Sequence, residues 1–151
     1  MMKPFCATLA MSAVLALAPA AASAAGNPNH TGTPLVATLD GKAEVPGPGD
    51  PSGNGEFSGW FDAAKGRVCY TLGVASLPNT TMAHIHRGDA QTAGPVVVAL
   101  ANPVHNISET CAPVDKAVVS QIIANPAGFY VNVHTAAHPG GAIRAQLKRP
   151  K

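Results

Sequence analysis

The chain has 151 residues, of which 12% are charged and 46% hydrophobic, and ten Lys and Arg set against eight Asp and Glu leave a formal charge of only +2. A charge this small gives no electrostatic support to a nucleic-acid or anionic-membrane partner. The length suits one domain with a core of its own.

Residues 1–24 read as an export signal. Lys3 supplies the positive start, Phe5 to Ala21 is almost unbroken small apolar sequence, and Ala22-Ser23-Ala24 gives the A-x-A cleavage pattern. The apolar run falls short of the about 20 residues a bilayer-spanning helix needs. A secreted or periplasmic chain with no membrane span after signal removal is therefore expected. Cys6 leaves with the signal, so Cys69 and Cys111 remain. In an exported chain such a pair reads as one disulfide, and closing a loop of about 40 residues contributes about 3 to 4 kcal/mol on the chain-entropy account. The rival reading, two thiolate metal ligands, needs a reducing compartment or a third ligand nearby.

Residues 25–33 (AGNPNHTGT), with His30, form a flexible polar lead-in. "PLVATLDGKAEVP" then gives a first strand with Leu35, Ala37 and Leu39 on one face and a turn at Asp40-Gly41. The Pro- and Gly-dense stretch 46–55 is a loop. "EFSGWFD" and "RVCYTLGV" flank the turn 63–66 as a hairpin. "LPNTT" breaks the pattern before strands at Met82–His86 and Pro95–Leu100, and 101–113, carrying Cys111, reads as a loop. "VDKAVVSQIIAN" is the one helical candidate, with Val114, Val118 and Ile122 at four-residue spacing, Asp115 as cap and Asn125-Pro126 as stop. "FYVNVHT" and "GAIRAQL" return to strand, separated by residues 136–140. Seven short strands and one helix inserted before the last two predict an all-β antiparallel sandwich or barrel. The sequons at Asn79 and Asn106 matter only in a glycosylating cell.

Strand alternation sorts the histidines. Ala83 and Ile85 form the apolar set of one strand, which puts His84 and His86 on its other face; Phe129, Val131 and Val133 do the same for His134, and Ile143, Ala145 and Leu147 for Arg144. Alternate residues on one face stand about 6.5 to 7 Å apart at Cα, a span two imidazoles close onto one ion when the rings lean together. A third imidazole from a neighbouring strand completes three nitrogen donors, provided the two strands are adjacent. Such donors suit copper first in the affinity order, and zinc fits them as well. His-x-His also occurs by chance on half-exposed sheets, which leaves ordinary surface histidines as the competing reading. His138 and His105, both in loops, are the candidate fourth ligands. Arg144 is either a sheet-surface arginine or, beside a metal, a guanidinium that draws small anions. Asp89 is either a turn residue or a partner for Arg144 or for a ligand's second ring nitrogen.

Three stretches, "LDGKAEVP", "AHIHRGDAQTAGPVVVAL" and "IIANPAGFYVNVHTAAHPGGAIRAQL", resemble the chordin-type domain called CHRD, in order and over about residues 34–148, which sets the domain at 34–149. That family is known as a repeated module of a secreted antagonist of bone morphogenetic proteins and as small exported bacterial proteins. The resemblance implies a binding module whose partner is a secreted or cell-surface protein. A fainter resemblance is to Cu/Zn superoxide dismutase: His84-x-His86 with Gly88-Asp89, then "VNVH" ending at His134, then Gly-x-x-Arg ending at Arg144. It implies a Greek-key sandwich with His84, His86 and His134 as copper ligands on the outside of the barrel and Arg144 as the anion guide. That enzyme's bridging histidine and zinc loop have no counterparts here, and no cysteine follows Arg144, so copper alone is implied. The expected function is a metal-binding or partner-binding module with a surface three-histidine site. A copper-only, superoxide-dismutase-like redox enzyme and a structural adhesion domain without metal are the alternatives.

Overall fold

The computed structural model describes residues 31–151, so residues 1–24, expected to be an export signal, most of the expected lead-in and His30 lie outside the described residues. Eight strands run in chain order: β1 (Thr33–Asp40), β2 (Asn54–Asp62), β3 (Arg67–Ala75), β4 (Thr80–Arg87), β5 (Val96–Leu100), β6 (Ile107–Pro113), β7 (Phe129–Thr135) and β8 (Ile143–Gln146). One helix, α1 (Lys116–Ala124), precedes β7. All paired strands are antiparallel, in the order β5-β4-β7-β8-β1-β2-β3-β6, which makes a nearly closed barrel. The long returns that set β7 beside β4 and β8 beside β1 are Greek-key connections.

Local chemistry explains most boundaries. Leu35, Ala37 and Leu39 of β1 are buried in alternation with more exposed neighbours. Asp40 ends the strand by accepting the Ala43 N–H at 3.0 Å. The β2–β3 turn closes where Asp62 Oδ1 accepts the Lys65 N–H at 3.0 Å. Gly66 there has φ +63°, the left-handed conformation that glycine adopts without strain. Strand β2 begins at Asn54, two residues before the sequence reading placed it. Asp115 caps α1, accepting from Ala117 N at 2.7 Å and Val118 N at 3.3 Å, and Asn125 ends it. Val119 and Ile122 are the helix residues buried in the core, with Val114 and Val118 at its margin.

One element departs from the sequence reading. Residues 107–113, expected within a loop, form the edge strand β6 along β3. Of the seven, only Ala112 is buried, so no apolar alternation marks the strand in the sequence. Its pairing comes from register instead: Cys111 stands directly opposite Cys69, and the two form a disulfide. The rim between the two ends of the sheet is tied where Ala101 N–H donates to the Tyr70 hydroxyl at 2.7 Å. No helix among the described residues is long and apolar enough to cross a membrane.

Candidate metal centre

Strands β4, β7 and β8 are neighbours, and their registers fix what shares the outer face of the barrel. His86 stands opposite Tyr130, His84 opposite Asn132 and Met82 opposite His134. On the other side of β7, Asn132 faces Arg144 and Tyr130 faces Gln146. Their alternates Ala83, Ile85, Val131, Val133 and Ile143 fill the core. The His84-x-His86 pair and a third histidine 50 residues beyond His84 thus meet on one sheet face, as the alternation argument requires.

They meet closely. His84 Nδ1 lies 3.1 Å from His134 Nε2, and one ring nitrogen from each of His84, His86 and His134 lies within 4.8 Å of the other two. The rings are held by main-chain carbonyls: His86 Nδ1 donates to Gly94 O at 2.8 Å, and His134 Nδ1 to Pro139 O at 2.9 Å. A ring whose Nδ1 carries the proton presents a bare Nε2 lone pair, and a carbonyl on the second nitrogen is how metal-binding histidines are usually oriented. His86 Nε2 is buried without any protein partner. Burial first, then the other histidines, lowers the pKa of His84; burial leads the lowering at His86 also. Both rings are therefore neutral near pH 7, the form that coordinates.

The face is less open than a half-exposed sheet. Every residue of β7 is buried, and His86 and His134 are only 8% and 6% exposed, so the expected surface site is a covered one with His84 at its open edge. The cover is the loop after β4, residues 88–95, and the turn after β7, residues 136–141. Gly94 in the first loop could not be another residue without moving the chain, since a Cβ there would fall 1.6 Å from Arg87 O.

Arg144, read from the sequence as a surface arginine, is 1% exposed. Its Nη2 donates to Asp89 O at 2.6 Å and Thr92 O at 3.1 Å, and its Cζ lies 3.4 Å from the centroid of Tyr130. Tyr130 in turn stacks on His86, ring centroids 4.8 Å apart and nearly parallel, and its hydroxyl accepts the Gly94 N–H at 3.1 Å. Arg144, Tyr130 and Gly94 together hold the loop that holds His86. Asp89 is a turn residue, its carboxylate accepting from Gln91 N and Thr92 Oγ1. Arg144 takes its carbonyl and not its carboxylate.

Neither candidate fourth histidine joins the group. His138 lies 4.0 Å from Asp50 in the turn after β7, and His105 sits with φ +55° in the short 3-10 turn before β6. Sequence reasoning missed Glu44, buried beside Arg144 with Oε1 unpartnered; desolvation pushes its pKa up to about 7 against the opposing pull of Arg144 and Asn132. It also missed Gln146, whose amide donates to Gly88 O and Ala127 O. Nothing in the sequence marks that Glu44 will be buried beside Arg144 or which loop Gln146 will reach.

Neither a curated protein nor a solved structure matches the chain. The family model of the CHRD domain matches residues 35–147, from the first core strand to the end of β8. That span contains all eight strands' contributions to the barrel, the disulfide and the three clustered histidines, and the chain belongs to the CHRD-domain family.

Proposed function

We propose that this CHRD domain is an exported copper-binding module that holds one ion on His84, His86 and His134. The observation that carries the reading is the pair of buried rings, each donating from Nδ1 to a main-chain carbonyl and each leaving Nε2 beside the other ligands. The Nε2 of His86 is buried with no protein partner, and a buried nitrogen left so is costly unless something occupies the space beside it. Three imidazoles without thiolate suit copper(II) or copper(I), and a bound copper would supply a one-electron redox couple at that point. The chain's own residues orient the rings, lower the pKa of His84 and His86 by burial, and shield two of the three from solvent. Export is supported by the disulfide, which fits an oxidising compartment, and by the family, whose members act outside the cell. The reading of a secreted or cell-surface protein partner draws its support from the family resemblance and from no feature of the site. The superoxide-dismutase-like alternative draws no support from Arg144, whose Nη2 is spent on loop carbonyls and whose guanidinium is shut off from incoming anions.

The test is metal analysis and titration of the untagged full chain beside His86→Ala and His134→Ala. The expected result is one copper per chain in the parent and none in either variant. A parent that takes up neither copper nor zinc would return the histidines to incidental status and favour the adhesion-domain reading.

A further inference from the structure

We infer that Met82 is the fourth donor of this site, a thioether that makes it a copper(I) site; the inference rests on the three-histidine reading above. Met82 lies on β4 two residues before His84 and on the same face, since Ala83 between them is in the core. The β4–β7 register sets it opposite His134, so it neighbours two of the three histidines at once. That placement is built: the pairing shifts between Thr80 and Met82, and the extra residue Thr81 brings Met82, in place of Thr81, against His134. Bulges of this kind are used to re-aim a side chain.

Met82 is also 47% exposed, on the open side of the cluster where His84 meets solvent. Among the described residues the other large apolar side chains left in water are Val96, Val104 and Ile107, none of which has a side-chain donor atom. Methionine's unbranched chain and polarizable sulfur let it swing onto a neighbouring ion.

The donor set then defines the metal. The clustered ligands are three imidazoles with no carboxylate among them, and an imidazole that coordinates carries no charge, so nothing in the group offsets a second positive charge. A buried ion without a compensating anion is better tolerated as a monocation than as a dication. Thioether sulfur is a soft ligand that selects copper(I) and contributes little to zinc. With His86 and His134 covered, His84 and Met82 form the edge at which copper(I) enters and leaves.

The experiment compares the full chain with Met82→Leu, which keeps the size and exposure of the side chain. Copper(I) affinity is measured anaerobically at pH 7 by competition with bicinchoninate, zinc(II) affinity by competition with a zinc chelator, and copper–sulfur scattering by X-ray absorption of the copper(I) form. Expected are a loss of copper(I) affinity of at least roughly tenfold in Met82→Leu, unchanged zinc affinity, and a copper–sulfur path present in the parent and absent in the variant. Equal copper(I) affinities, or an equal loss for both metals, would overturn the assignment of Met82. A parent that binds zinc but not copper(I) overturns it while leaving the three-histidine site standing, and a parent that binds neither removes both.

Discussion

Strands β6 and β7 sit on the same barrel and have the same length, yet β7 is buried at all seven positions and β6 at one. Both have one face toward the core. The difference lies in what covers the other face. Over β7 lie two loops pinned by Arg144, Gln146, Tyr130 and His134; over β6 lies solvent, and the strand is fastened by a covalent bond to its one neighbour β3. A sheet face becomes a site when the loops crossing it are anchored by the strand's own side chains.

The comparison is broken most severely at Arg144. Arg144→Ala removes the anchor of the 88–95 loop and leaves Glu44 without its counter-charge, and a loss of about 3 to 5 kcal/mol in urea unfolding is expected, with copper uptake lost in the fraction that still folds. Unfolding within 1 kcal/mol of the parent would mean that the loop is held by other groups. Cutting the β6 fastening instead, with Cys69→Ser and Cys111→Ser together, is expected to cost about 3 to 4 kcal/mol while metal affinity at the far strands stays as in the parent. A fall in affinity would show the two regions to be coupled.

Glu44 sharpens the contrast through pH. Its folded pKa of about 7 lies above the ordinary 4.5, so the protonated form is favoured by folding; the stability it contributes is complete below pH 4.5 and is lost as pH rises through 7. Glu44→Gln, which stays neutral throughout, is expected to match the parent at low pH and to exceed it at high pH by about 2 to 3 kcal/mol. Chemical denaturation at both ends of that window checks it, and a constant offset would contradict it. The smallest effect is expected from Tyr130→Phe, which leaves the Gly94 N–H without its hydroxyl partner at a cost of about 1 kcal/mol and loosens the carbonyl that orients His86. A severalfold weaker copper affinity in titration is the sign to look for.

Much of this architecture is legible in the sequence because alternation is a local property. Ala83 and Ile85, Val131 and Val133, and Ile143 assign faces without any knowledge of the fold, and so His84, His86 and His134 fall on one side of the sheet. Adjacency of β4 and β7 is not local, and only the resemblance to known families pointed to it. Burial of the outer face was illegible for the same reason: Arg144 looks like a surface residue until Asp89 O and Thr92 O close over it. Strand β6 was hidden by a different cause, since the residues that share the core-side face of Ala112 are the polar Ser108 and Thr110, which leave no apolar alternation to read.

The bond between His84 and His134 spans 50 residues of chain. Before β4 and β7 pair, a nascent or unfolded chain offers the His84-x-His86 pair without His134 beside it, an incomplete set of donors. Long-range strand pairing of this kind is among the slower events of folding. On the proposed three-histidine reading, tight metal capture comes after the barrel has closed, and by mass action it draws the population toward that closed form. If the chain is exported as proposed, retention of metal would then serve as a report that folding on the far side of the membrane is complete.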